Sequence, residues 1–216
     1  MKRNSCARRR RGFTLLEVAF ASTIFAAVLG SALMLVMKAR DLSQSTQSRS
    51  SAQRRAQTAL DRAIDELSEA SSTITPDPSG AGGAASVQFQ TPLAVNGATI
   101  TWSGLRQLGW ESDPADPAGG GDDDGDGLTD EGQLVFVRDL GALNQRQVVL
   151  VRDVPRLDPD ELANNLDDDG DGVVDEGGFN VQLANGVLTL RLVVAQNAPG
   201  GRREFGRAQA SLILRN

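Results

Sequence analysis

Residues 8–37 read RRRRGFTLLEVAFASTIFAAVLGSALMLVM. From Phe13 to Met37 the run is 25 residues long and carries one formal charge, Glu17. As an α-helix it would extend about 37 Å, more than the ~30 Å of a bilayer's hydrocarbon core. The arginines before it predict an N-terminal side that stays cytoplasmic and a remainder that is exported. A secretory signal would have a shorter apolar core and then a small-residue cleavage motif. This run continues past its small residues at Ala19–Ser22 and Gly30–Ala32. Glu17 is the anomaly, because an isolated carboxylate in lipid is disfavoured unless it is neutralised or paired.

Beyond Met37 the chain turns polar yet has no proline or glycine before Pro76. Ala52, Ala56, Ala59, Leu60, Ala63, Ile64, Leu67 and Ala70 recur at spacings of three and four, one apolar stripe on a helix. The pattern predicts a single helix from Phe13 to about residue 71, with a membrane part at 13–37 and an exported amphipathic continuation over 38–72. The stretch TPDPSGAGGAAS opens a linker, 73–86. Short runs with alternation or β-branched residues follow at Val87–Thr91, Ala98–Trp102, Gln133–Asp139, Gln147–Asp153, Phe179–Leu183, Val187–Ala195 and Ala208–Leu214. Asn185-Gly186 between two of them is a hairpin signal. The expected fold class is α+β, a long transmembrane-plus-amphipathic helix packed on an antiparallel β domain over 87–216.

The 216 residues include 22 basic and 28 acidic ones, a net charge of −6. Six of the basic residues (Lys2, Arg3 and Arg8 to Arg11) precede Gly12, so without that leader the net charge is 16 − 28 = −12. Twelve of the 28 acids lie in two short stretches; elsewhere past the leader the balance is 16 against 16. Local acidity of this kind points to cation sites rather than to a generally solvating charge. Histidine and tyrosine are absent and the one cysteine, Cys6, is in the leader, which removes disulfide, thiol and imidazole chemistry from the remainder. No arrangement of the other side chains suggests catalysis, and no catalytic residue is expected. No basic stripe with interleaved aromatics suggests nucleic-acid binding.

The two acidic stretches are copies. DDDGDGLTDEG begins at Asp122 and DDDGDGVVDEG at Asp167, an offset of 45 residues. Upstream, at the same offset, Asp113-Pro114 corresponds to Asp158-Pro159 and Asp116 to Glu161. The cores resemble EF-hand-type calcium loops. Donors at positions one, three and five would be Asp122, Asp124 and Asp126, and in the second copy Asp167, Asp169 and Asp171. Gly127 and Gly172 occupy the sixth position, Leu128 and Val173 would offer backbone carbonyls at the seventh, and Asp130 and Asp175 stand at the ninth. Position twelve departs from that pattern, with Gln133 and Gly178 where a bidentate Glu is required. Glu131 and Glu176 come two places earlier, and whether they reach the ion is left open. Glycines on either side exclude flanking helices. Calcium is expected at both loops, since magnesium demands stricter octahedral geometry and keeps its waters.

The stretch Arg11-Gly12-Phe13-Thr14-Leu15-Leu16-Glu17, with its basic leader and unbroken apolar run, resembles the processing site of type IV pilins and of the pseudopilins of type II secretion. The resemblance implies cleavage after Gly12 by a prepilin peptidase, N-methylation of Phe13, and a Glu17 that meets the Phe13 amine of a neighbouring subunit in a filament. It implies a structural, non-enzymatic subunit, with other pilin or pseudopilin subunits and inner-membrane lipid as partners. Its place would be the bacterial inner membrane, single-pass, before assembly into a periplasmic or surface filament. Size and inserted loops fit a minor component, with the J-type minor pseudopilin nearest in general shape. The competing reading is a membrane-anchored, calcium-dependent adhesin or binding module that uses a pilin-like export signal.

Overall fold

The computed structural model describes residues 13–70, 74–75, 78, 83–117, 121–125, 127–170 and 173–213. Of the residues singled out in the sequence, those of the leader up to Gly12, and Asp126, Asp171 and Gly172 lie outside these. The chain divides into two compact units, Met1–Ser43 and Gln44–Asn216. One helix, α1 (Leu15–Ser68, 54 residues), runs through both.

In the first unit α1 begins with a capping box. The Glu17 N–H donates to Thr14 Oγ1 at 3.3 Å, and Glu17 Oε2 accepts from the Thr14 N–H at 3.0 Å and the Thr14 hydroxyl at 3.2 Å. Thr14 and Glu17 stand three apart, the spacing that lets each satisfy donors left open by a helix start. Every side chain from Phe13 to Ser43 is exposed, and the helix is long and apolar enough to cross a membrane. Ser22 and Ser31 turn their hydroxyls onto the carbonyls of Ala19 and Val28, at 2.9 and 2.8 Å. These hydroxyls need no water, which suits an apolar solvent.

The second unit holds the rest of α1 and nine strands. A four-stranded antiparallel sheet has the order β1 (Ser86–Phe89), β4 (Arg106–Ser112), β5 (Gly132–Arg138), β6 (Arg146–Val154). A three-stranded antiparallel sheet joins β7 (Phe179–Ala184), β8 (Val187–Ala198) and β9 (Arg202–Ile213). A separate hairpin pairs β2 (Pro92–Asn96) with β3 (Thr99–Trp102). The Asn185-Gly186 turn connects β7 and β8 with φ of 53° and 77°, as a primed two-residue hairpin requires. The α+β class expected from sequence is the one observed.

The predicted stripe is the buried face of the helix. Ala52, Ala56, Ala59, Leu60, Ala63, Leu67 and Ala70 are buried and Ile64 is half-buried. Ala56, Ala59, Leu60, Ala63, Leu67 and Ala70 pack with Phe89, Leu108, Leu134, Phe136, Phe179, Leu190 and Leu192 from both larger sheets in one core. Alanines let the helix backbone approach closely. At Gly206 on β9 a Cβ would stand 2.2 Å from Gln53 N and 2.3 Å from the Ala52 carbonyl carbon.

Three boundaries differ from expectation. The helix stops at Ser68, where the Ser68 hydroxyl bonds back to Asp65 O and Ala70 N bonds to Leu67 O, a tightened last turn. Strands β2 and β4 were not foreseen. Pro92 opens the first, and Gly109 sits inside the second where a Cβ would meet Ser86 Cβ at 2.4 Å. Strand β9 begins at Arg202, six residues before the expected start, because its polar first half pairs fully with β8. Replacement of Gly206 by Ala is expected to cost ~1–3 kcal/mol by forcing helix and strand apart. Thermal unfolding of the detergent-solubilised chain measures it.

Candidate metal centre

The repeat in the sequence is a repeat in hydrogen bonding. The Asp113 N–H donates to Glu131 O at 3.3 Å, as the Asp158 N–H does to Glu176 O at 2.9 Å. The Asp116 and Glu161 amides donate to the carbonyls of Asp113 and Asp158 at 3.1 and 3.0 Å. Asp113 Oδ1 and Asp158 Oδ1 accept from the Ala115 and Asp160 amides at 2.9 and 3.0 Å. Asp116 Oδ1 accepts from the Asp123 N–H at 2.9 Å, and Glu161 Oε1 from the Asp168 N–H at 3.0 Å. Asp122 and Asp167, at the first loop position, each accept from a glycine amide, Gly125 and Gly170, at 2.7 Å.

Each copy therefore buries the same ring of acids beneath an exposed loop. Asp113, Asp116 and Glu131 are buried in the first copy, and Asp158, Glu161 and Glu176 in the second. A guanidinium answers the outermost acid of each: Arg152 meets Asp113 at 3.2 Å and Arg207 meets Asp158 at 2.9 Å. Leu128 and Val173 turn their side chains into the protein, while Asp130 and Asp175 take left-handed backbone conformations, φ 54° and 50°. The carboxylate of Asp175 accepts from the Asn164 and Asn165 amides at 3.0 and 2.9 Å.

In the second copy three acids converge. Carboxylate oxygens of Glu161, Asp169 and Glu176 lie within 4.8 Å of one another, close enough to hold a metal ion. Glu176 is 4% exposed, and its Oε2 has no hydrogen-bond partner among the described residues. Burial pushes the Glu176 carboxyl up to about 7; its own backbone N–H opposes this, and the nearby Glu161, Asp169 and Asp158 charges add to it. Asp169 is also raised, by desolvation first and then by Asp167 and Asp158. A dication among these oxygens would relieve both the repulsion and the missing hydrogen bond. An all-oxygen donor set suits a hard cation such as calcium.

Of the expected donors, Asp169 and Glu176 are brought together, and Asp122 and Asp167 are turned onto their own loop amides. Glu161, which joins the cluster, lies six residues before its loop and was not among the expected donors. Its signal was the 45-residue offset itself, which pairs it with another acid, Asp116.

Protonation of Glu176 relieves the same repulsion without a metal. The folded chain then holds a proton that the unfolded chain has released once pH exceeds about 4.5. Its stabilising contribution is complete below that value and is lost as pH rises through about 7. In chelator the melting temperature is expected to fall between pH 5 and pH 8, by up to ~3 kcal/mol of stability. Saturating calcium is expected to abolish the fall, and scanning calorimetry at several pH values reads both.

Comparison with known proteins bears on the other end of the chain. Residues 7–33 match the family described as the prokaryotic N-terminal methylation motif. No curated protein and no solved structure matches the chain. The motif is the type IV pilin and pseudopilin signal, and the capped, fully exposed apolar helix lies at its position. The chain is pilin-like: a methylation motif, a long helix with an apolar first half, and antiparallel sheets against which the second half packs.

Proposed function

We propose that the chain is a structural, minor subunit of a type IV pilus or of a type II secretion pseudopilus, with calcium bracing its two acidic loops. The carrying observation is the methylation motif over residues 7–33, continuous with a helix whose side chains are all exposed as far as Ser43. Such an apolar surface calls for lipid or other helices around it. Before assembly, residues 13–37 span the inner membrane and the basic leader stays cytoplasmic. A prepilin peptidase cuts between Gly12 and Phe13, the new amine is methylated, and residues 38–216 lie on the exported side. Assembly then packs the apolar helices of neighbouring subunits together.

Glu17 has two separable duties in this scheme. As a capping-box residue it serves its own helix, a task Gln also performs. As an anion it pairs with the Phe13 amine of a neighbour and sets register, the best-attested use of a buried ion pair. Glu17→Gln is therefore expected to insert and be cleaved normally, yet to be lost from sheared filaments; Glu17→Ala loses the cap as well. Recovery of Glu17→Gln in filaments at wild-type level would refute the pairing. Intact mass of the membrane-extracted chain is expected to lack residues 1–12 and carry one extra methyl group.

At the loops, calcium draws on Asp122, Asp124, Asp126, the Leu128 carbonyl, Asp130 and Glu131, and on Asp167, Asp169, Asp171, the Val173 carbonyl, Asp175 and Glu176. The support is the convergent cluster in the second copy. Sites of this kind on exported proteins bind at about 10⁻⁴ to 10⁻³ M. Calcium at a hundred times its dissociation constant is expected to add ~2.7 kcal/mol of stability per site. No thermal shift at saturation would refute calcium binding.

A further inference from the structure

The two loop copies differ in one decisive place. In the second, Glu161 is long enough to use both oxygens: Oε1 accepts from the Asp168 and Asp169 amides at 3.0 Å, and Oε2 from the Asp175 amide at 3.2 Å. In the first, Asp116 is one methylene shorter. Its Oδ1 accepts from the Asp123 amide, which fixes the carboxylate against the loop, but its Oδ2 has no hydrogen-bond partner among the described residues. Asp116 is fully buried. A buried carboxylate oxygen with no donor is strongly unfavourable unless a cation stands beside it.

A second buried oxygen in the same stretch is in the same position. Gln133, two residues after Glu131, is 4% exposed, and its Oε1 has no partner among the described residues. Opposite Gln133 the partner strand β6 is bulged at Asp153, which takes a left-handed conformation, φ 63°. An amide oxygen is a neutral donor of the kind calcium accepts.

We propose that the first loop binds its own divalent cation, calcium, on the buried acids Asp116 and Glu131 together with Asp124. The ligand set is thus anchored by an acid outside the loop, the counterpart of the Glu161, Asp169 and Glu176 cluster. The proposal rests on the reading of these loops as cation sites and adds one ligand, Asp116, that reading does not contain. Unlike Glu161, Asp169 and Glu176, the carboxylates of Asp116, Glu131 and Asp124 do not already lie within 4.8 Å of one another, so the exposed Asp124 has to move onto the buried acids when the ion arrives. The second loop, whose Glu161 is answered by three amides, keeps its shape without metal; the first needs the ion to answer Asp116.

Occupancy of the first loop has a structural consequence. It connects β4 to β5 in the four-stranded sheet, yet it touches the other sheet. At Gly127 a Cβ would overlap Asn197 of β8, and Arg203 of β9 donates to Thr129 Oγ1 at 2.9 Å. An ion bound there braces one sheet against the other.

Calcium titration calorimetry on the detergent-solubilised full chain tests this. The wild type is expected to take up two equivalents, and Asp116→Asn, which keeps the side chain's shape, one. The equivalent retained at the second loop reports that the variant is folded. Two equivalents in Asp116→Asn, or one in both proteins, would overturn the proposal. No uptake by the wild type would instead refute cation binding altogether, and the proposal with it. Should Asp116→Asn bind none, Glu131→Gln decides: one equivalent supports the assignment and two overturn it.

Discussion

A carboxylate taken out of water has to be answered by donors or by a cation. The second compact unit of this chain buries six at the bases of two loops: Asp113, Asp116 and Glu131, then Asp158, Glu161 and Glu176. The outermost of each set meets a guanidinium, Arg152 or Arg207. The next is capped by loop amides. After those donors are spent, Asp116 Oδ2 and Glu176 Oε2 remain without a hydrogen bond among the described residues. The loops above them are short of positive charge, and their place between the strands makes that shortage a matter for the whole unit. One loop closes the β4–β5 hairpin and the other carries the chain from β6 to β7, from one sheet to the next.

The helix solves a different problem in each of its halves. Up to Met37 its surface is apolar apart from Glu17, and it is exposed as far as Ser43, with serine hydroxyls folded onto its own backbone. From Ala52 onward a narrow alanine-rich stripe lets the backbone settle against a glycine on β9. The first surface gains by meeting copies of itself or lipid; the second is already satisfied by the sheets. That division of labour is what a filament subunit with an exported domain requires. It also explains why one helix takes in the end of the methylation motif and one face of the packed core.

Much of this was legible because it is local or periodic. The stripe from Ala52 to Ala70 named the buried helix face nearly residue by residue, and Asn185-Gly186 named its hairpin. Strands β2 and β4 were hidden because Pro92 and Gly109 are strand breakers on average, whereas here an open edge and a close strand contact tolerate them. The Thr14-to-Glu17 capping box was present in the letters, but the oddity of a charge at the membrane drew the reading toward a partner subunit alone. At the loops, comparison with EF-hands directed attention to positions one to ten. The convergent oxygens instead include Glu161, which enters the site only because the fold brings the segment after β6 back beneath the loop. The repeat offset marked that residue; its burial, which no spacing rule conveys, gave it meaning.

Hydrogen exchange of the full chain in detergent, in chelator and in saturating calcium, tests most directly whether metal answers the buried acids. Cation binding at both loops predicts slower exchange with calcium at the amides of Asp123, Gly125 and Gly127 and at those of Asp168 and Gly170. The larger gain is expected in the first group, where Asp116 Oδ2 lacks a donor, and it should extend to the β8–β9 end around Asn197 and Arg203. Identical exchange in the two conditions would contradict it.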